Sequence, residues 1–253
     1  MKEESFQRYG AYYDLLYRDK DYAAESAYIG RILRAAGLAQ GSLLEFGAGQ
    51  GRHGRLLAAA GFSVHGVERS REMIAAGGAA PAAGGFSCIQ GDIRTVRIPR
   101  TFDGVLSLFH VISYLTADAD VAQTFANAAR HLRPGGVFFF DVWHGPAVLR
   151  ERPSARVKRV EDGTTRLTRM AEPEMDEEAC LVTVNYTIVA EPKAGGARTT
   201  FGESHRLRYF FPGEIELFAQ AAGLVMERSE EFLTGQPPSD STWGVAYLLR
   251  KAA

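Results

Sequence analysis

Leu43-Leu44-Glu45-Phe46-Gly47-Ala48-Gly49-Gln50-Gly51-Arg52 decides how this chain folds. An apolar run closes on an acid, a Gly-x-Gly-x-Gly turn follows, and a helix-forming stretch begins directly after it. Glycine is required where the backbone enters conformations closed to residues with a Cβ, or where a ligand lies against the peptide plane. A dinucleotide-binding turn spaces its glycines G-x-G-x-x-G and seats a pyrophosphate at the helix N-terminus. Here the third glycine comes one residue early, and Glu45 stands two residues before the first. A carboxylate in that place repels phosphate and attracts a guest with positive charge, such as an amino group or a sulfonium. Taken alone, the pattern also suits an ordinary strand-to-helix turn.

Downstream segments narrow the choice. Phe62-Ser63-Val64-His65-Gly66-Val67-Glu68 is a second strand ending in an acid about 20 residues after the glycines, where a carboxylate meets the two hydroxyls of a nucleoside ribose. Phe86-Ser87-Cys88-Ile89-Gln90 leads into Gly91-Asp92-Ile93, which places Asp92 at a third strand end within reach of an adenine amino group. Phe102 to His110 forms a fourth strand, and a helix ends in His131-Leu132-Arg133-Pro134-Gly135-Gly136 before a fifth, Val137-Phe138-Phe139-Phe140-Asp141. This ordered series resembles the class I S-adenosylmethionine-dependent methyltransferases across roughly residues 40 to 145. The resemblance implies S-adenosylmethionine as cofactor, held by Glu45, Gly47, Gly49, Gly51, Arg52, Glu68, Asp92, Ile93 and Leu108. Arg52 would pair with the methionine carboxylate, or else be a solvated first-turn arginine.

Composition sets outer bounds. The 253 residues can bury one sizeable core, or one core with an inserted lid. A formal net charge of -1 gives no general electrostatic reason to expect nucleic acid or a membrane surface as partner. Two cysteines, Cys88 and Cys180, are too few for a disulfide framework and are expected as buried thiols in apolar strands. The N-terminus lacks a signal-peptide core, and no run of about 18 apolar residues exists to span a bilayer. A cytoplasmic protein with a small-molecule acceptor follows, a homodimer is one possible assembly, and no metal site is expected.

Periodicity divides the chain into three parts. Residues 1–40 carry a helical pattern, with Tyr12, Tyr13, Leu16 and Tyr17 at helical spacing and a second helix from Tyr22 to Ala36. They form an N-terminal cap over the nucleotide site. Residues 41–145 alternate strands and helices, which implies an α/β, doubly wound parallel sheet with ligands at the carboxyl ends of its strands. After Trp143 the pattern changes to alternating strands broken by Asp162-Gly163 and Ala194-Gly195-Gly196, so residues 146–210 are expected to form an antiparallel β lid over the acceptor site. Residues 211–253 return to the first domain with a helix and a closing hairpin. The expected sheet has seven strands, all parallel except a reversed last strand.

Tyr13-Asp14-Leu15-Leu16-Tyr17, Lys20-Asp21-Tyr22-Ala23-Ala24-Glu25, the lid and Ser204-His205 together look like the sugar N,N-dimethyltransferases that act on nucleotide-linked amino sugars. The chain departs from their pattern at Asp141-Val142-Trp143-His144 and at Phe109-His110, so the acceptor is left open between nitrogen and oxygen nucleophiles. Methyl transfer to an amine needs neither metal nor covalent intermediate. Orientation of the reactants is worth roughly 7–11 kcal/mol. A base adds about 10² to 10⁴ in rate by exposing the lone pair. His110, after the fourth strand, and His205, at a lid strand, are the candidate bases, and Tyr17 is a candidate hydrogen-bonding residue near the methyl donor; each is equally readable as a structural residue. The lid also gathers Arg150, Arg152, Arg156, Lys158, Arg159, Arg166 and Arg169, a solvated face unless some converge on the pocket to bind a diphosphate. Two other readings stay open: a non-catalytic S-adenosylmethionine-binding protein, and a nicotinamide-dependent oxidoreductase.

Overall fold

The computed structural model describes residues 12–78 and 85–252, so what was expected of residues 1–11 lies outside the described residues. Five parallel strands form the centre: β1 (Gly41–Phe46), β2 (Phe62–Glu68), β3 (Phe86–Gln90), β4 (Phe102–Ser107) and β5 (Leu132–His144), in the order β3-β2-β1-β4-β5. The closing hairpin β10 (Leu224–Glu231) and β11 (Gly244–Lys251) continues the sheet, with β11 antiparallel to β5.

Strand residues alternate between two cores, as the pleat requires. Leu44, Phe46, Phe138 and Phe140 enter one cluster, where α5 (Asp118–His131) inserts Phe125 between Phe138 and Phe140 at ring distances of 5.4 and 5.2 Å. Leu43 and Phe139 enter the other, with Tyr28 and Ile29 of α2 (Tyr22–Ala35) and Leu57 of α3 (Arg52–Ala59). Helices therefore cover both faces, and every ligand must approach at the carboxyl edge. β5 starts at Leu132, directly after α5, so the Leu132-Arg133-Pro134-Gly135-Gly136 stretch expected as the end of a helix is the first part of a long strand.

A second, antiparallel sheet, β6 (Arg156–Glu161), β7 (Thr165–Asp176), β8 (Leu181–Pro192) and β9 (Thr199–Phe210), follows α6 (Gly145–Glu151). It joins the central sheet where β9 pairs in parallel with the end of β5, Trp143 opposite Tyr209 and His144 opposite Phe210. The junction holds the lid at the carboxyl edge. From the other side, α1 (Tyr13–Leu16) packs Leu16 against Leu167, Ile188 and Phe201 of the lid, and Lys158 pairs with Asp19 at 2.8 Å. α7 (Pro212–Ala221) then returns to the first core through Ile215 and Ala219. Cys180 lies in the turn before β8 with φ +54°, not in a strand, and both cysteines are half-buried, so neither is the buried thiol expected.

Candidate active site

The glycine turn is built as its spacing demands. Gly47, Gly49 and Gly51 have φ of +71°, +55° and +74°. A Cβ on Gly47 would stand 2.6 Å from Val111, whereas one on Gly49 would meet nothing nearer than the Met73 methyl at 3.5 Å. Gly47 is thus committed to packing, while the backbone at Gly49 is open to a close approach. Glu68, at the end of β2, is fastened to this turn: Oε2 accepts from Gly49 N–H at 2.8 Å and Oε1 from Ser70 N–H at 2.9 Å.

Glu45 is the penultimate residue of β1. Its side chain is buried beneath the turn, with Oε2 against the Cα of Gly54 in the first turns of α3. Burial, reinforced by the neighbouring Glu68 charge, raises its carboxyl to about 8, so it is mostly neutral at pH 7. Desolvation thus opposes the charge on which attraction to a cation rests. Arg52 is also engaged elsewhere, paired with Asp14 at 2.6 Å.

Asp92 follows β3 and is gripped by Arg94, whose Nε lies 3.0 Å from Oδ1 and whose Nη2 lies 2.6 Å from Oδ2; this ion pair holds its carboxyl below the usual range. Arg94 in turn reaches Asp120 of α5 at 2.8 Å. Ile93 is half-buried against the first core, and Leu108 is buried in the second. For Leu108 the structure gives a core position at the root of the site.

At the end of β4 the chain takes two consecutive left-handed residues, Phe109 at φ +63° and His110 at φ +60°. Non-glycine residues there store strain that surrounding contacts must offset. The anchor is Asp141 of β5, itself buried: its Oδ2 accepts from the His110 backbone N–H at 3.1 Å and lies 2.8 Å from His110 Nδ1, near enough for an ion pair though off-line for a linear hydrogen bond.

The three catalytic candidates lie along one path of side chains that starts at His110, whose ring is 5.9 Å from that of Phe109. Phe109 meets Tyr17 edge-on at 5.4 Å, Arg169 of β7 donates to the Tyr17 hydroxyl at 3.3 Å and covers the Tyr186 ring at 4.9 Å, and Tyr186 meets His205 at 5.1 Å. His205 is buried, with Nδ1 2.8 Å from the Tyr114 hydroxyl and Nε2 3.0 Å from Glu203. Arg169 is the lid cation that turns inward; Arg150, Arg152, Lys158 and Arg166 end in surface ion pairs with Asp240, Glu177, Asp19 and Glu161. Sequence reading gave no site role to Tyr114, Glu203 or a further buried group beside the glycine turn: His53 bonds Glu25 at 2.7 Å, Glu25 pairs with Lys20, and the Lys20 ammonium sits 4.0 Å from the Phe109 ring centre. Nothing in local spacing marks these residues, since each partner comes from another element. Among the described residues no group of three His, Cys, Asp or Glu side chains is placed to hold a metal, and no helix is long and apolar enough to cross a membrane.

Comparison with known proteins gives this edge its chemistry. A family profile described as a methyltransferase domain matches residues 43–136, the span from β1 to the start of β5. A dTDP-3-amino-3,4,6-trideoxy-alpha-D-glucopyranose N,N-dimethyltransferase of Streptomyces venezuelae is 33% identical over 229 residues, covering 89% of this chain and 92% of the relative. The chain belongs to the class I S-adenosylmethionine-dependent methyltransferases. A second relative of this methyltransferase, dTDP-3-amino-3,6-dideoxy-alpha-D-glucopyranose N,N-dimethyltransferase of Streptomyces fradiae, is 33% identical over 228 residues, with 89% of this chain and 85% of the relative covered. The solved sugar N-methyltransferase KedS8 from a Streptoalloteichus species shares 26% identity and a TM-score of 0.79, over 95% of this chain and 93% of that one. The likeness includes the lid as well as the sheet. S-adenosylmethionine is thus the cofactor, and methyl transfer the reaction class.

Proposed function

We propose that this enzyme methylates the amino nitrogen of a nucleotide-linked amino sugar. The observation that carries the reading is the match over 89% of the chain to dTDP-amino-sugar N,N-dimethyltransferases, which extends through residues of the lid and not only through the cofactor turn. The rings of Tyr17, Phe109 and Tyr186 gathered where the lid meets the carboxyl edge support it, because aromatic faces and a few polar groups suit a small partly apolar sugar better than a polymer. The reading brings with it a cytoplasmic setting and no part for nucleic acid or membrane. In it, residues 41–145 and 211–253 bind the cofactor, residues 146–210 cover the acceptor, and residues 1–40 close the site.

The residues present fit the cofactor. Glu68, held at the open backbone of Gly49, would take the ribose hydroxyls, and Asp92 the adenine amino group. When bound, S-adenosylmethionine supplies an electrophilic methyl on a sulfonium. The chain's own part is to orient the amine, exclude water beneath the lid and receive a proton from the nitrogen, for which orientation alone is worth roughly 7–11 kcal/mol. Incubation with S-adenosylmethionine and a panel of dTDP-amino sugars, free amino sugars, hydroxylated sugar nucleotides and small amines, followed by mass spectrometry, tests the reading. Addition of one or two methyl masses to a dTDP-amino sugar is expected. Methylation confined to a hydroxyl acceptor or to a free amine would overturn it.

A further inference from the structure

Asp92 leaves β3 beside the end of β2. Glu68 pairs with Gln90 across the two strands, and its carbonyl accepts from Gly91 N–H at 2.9 Å, so Asp92 emerges next to the residue assigned to the ribose. The loop then folds back on itself: the Asp92 carbonyl accepts from the N–H groups of Thr95 and Val96 at 3.0 and 2.8 Å, and Asp92 Oδ1 accepts from the Arg94 N–H at 2.9 Å. An aspartate that bonds the backbone two residues on makes such a turn locally. Its consequence here is that the Arg94 side chain returns onto the carboxylate behind it.

A carboxylate has about four lone-pair directions. Arg94 fills three: its backbone N–H bonds Oδ1, its Nη2 bonds Oδ2 at 2.6 Å, and its Nε lies between the two oxygens at 3.0 and 3.1 Å. One direction is left, on a side chain that is 26% exposed. The guanidinium is itself tethered, since Nη1 bonds Asp120 in the first turn of α5 at 2.8 Å. The Arg94 hydrogen bonds also hold the Asp92 carboxyl below its usual range, so at neutral pH it only accepts.

At position 6 of a purine the choice is between an amino group, which donates, and an oxygen, which only accepts. An oxygen there sets lone pair against lone pair. A carboxylate free to turn can withdraw from that contact, whereas one gripped through both oxygens cannot. Resting on the assignment of the adenine amino group to Asp92, we propose that Arg94 is a positioning residue that makes the cofactor site reject a 6-oxopurine, holding Asp92 with one lone-pair direction left for the amino group and using Asp120 as its anchor. A site built to hydrogen-bond one ligand discriminates against an analogue that leaves its polar groups unpaired. The fork matters as well as the charge, because a lysine ammonium is a point charge and does not match both carboxylate oxygens.

Calorimetry with S-adenosylhomocysteine and S-inosylhomocysteine, which exchange a 6-amino for a 6-oxo group, reads this without an acceptor. The parent is expected to prefer the adenosyl compound. Asp92→Asn, Arg94→Met and Arg94→Lys are each expected to lower the adenosyl-to-inosyl affinity ratio by about 10-fold or more, the size of one hydrogen bond to a charged group. Asp120→Ala, which releases Nη1 and leaves the Arg94–Asp92 bonds, is expected to lower it less. A ratio lowered by Asp92→Asn but unchanged in Arg94→Met or Arg94→Lys overturns the role of Arg94 alone. A ratio unchanged in Asp92→Asn removes Asp92 from the adenine, and the inference falls with that assignment. Equal weakening of both ligands by the Arg94 variants marks a structural role and overturns it too. Should the Arg94 variants fail to fold, Asp120→Ala decides, and the parent's ratio in that protein overturns the proposal.

Discussion

His110 and Asp141 meet across the carboxyl ends of β4 and β5, where one carboxylate oxygen accepts from the backbone N–H and lies 2.8 Å from Nδ1 of a residue held in the left-handed region. The acid is buried and the ring is partly exposed, an arrangement that fixes which ring nitrogen faces outward. Asp141→Asn keeps the shape and removes the charge, so turnover is expected to fall about 10-fold or more. If the pair acts as a unit, His110→Ala and the double variant lose similar amounts, since residues sharing one interaction are not additive. Steady-state kinetics on the four proteins of the cycle decides this, and strict additivity would separate the two residues.

Glu68→Ala is expected to weaken S-adenosylmethionine binding by roughly 1.5–3 kcal/mol, the range for hydrogen bonds to a charged group. The change also frees the Gly49 N–H, which Glu68 now accepts, so the loss reflects both a ligand contact and a looser turn. Calorimetry that finds affinity within twofold of the parent would remove Glu68 from the site.

The Glu45 carboxyl gives stability a pH dependence of definite sign. Its folded value of about 8 lies above the ordinary 4.5, so the folded chain keeps a proton that the unfolded chain releases in between. This contribution is complete below about pH 4 and is lost as the pH rises through about 8. At about 1.4 kcal/mol per pKa unit it amounts to a few kcal/mol at most. Glu45→Gln is expected to flatten the fall of Tm between about pH 5 and 8 in ligand-free protein. Parallel Tm curves for parent and variant would show that Glu45 is ionised in the folded chain.

Gly47→Ala carries two separable costs: a left-handed φ of +71° and a Cβ only 2.6 Å from Val111. Left-handed strain is worth roughly 1–2 kcal/mol, and the clash adds to it. Val111→Ala on that background is expected to restore the clash part and leave the strain. Denaturant unfolding reads both, and a double variant no more stable than Gly47→Ala would place the whole cost in the backbone.

Local backbone rules made much of this protein legible from its residues. Three glycines in five positions require a left-handed turn, and strand periodicity puts Glu68 at its edge and Asp92 just beyond the next strand. Alternation after Trp143 specifies the lid, because side-chain direction along a strand depends on neighbouring residues alone. What the turn does with Glu45 depends on α3 packing Gly54 against it, and that burial disfavours the charge on which the argument from spacing rests. Asp141 reaches His110 because β4 and β5 lie side by side, though 31 residues separate the two. Tyr114 and His205 are 91 residues apart and meet where the 3₁₀ turn Val111–Tyr114 reaches β9. Sequence by itself determined the sheet, the turn and the reaction class; only the tertiary structure decided which acid is neutral and which histidine has its nitrogens occupied, since both depend on desolvation and on partners that strand register brings from distant parts of the chain.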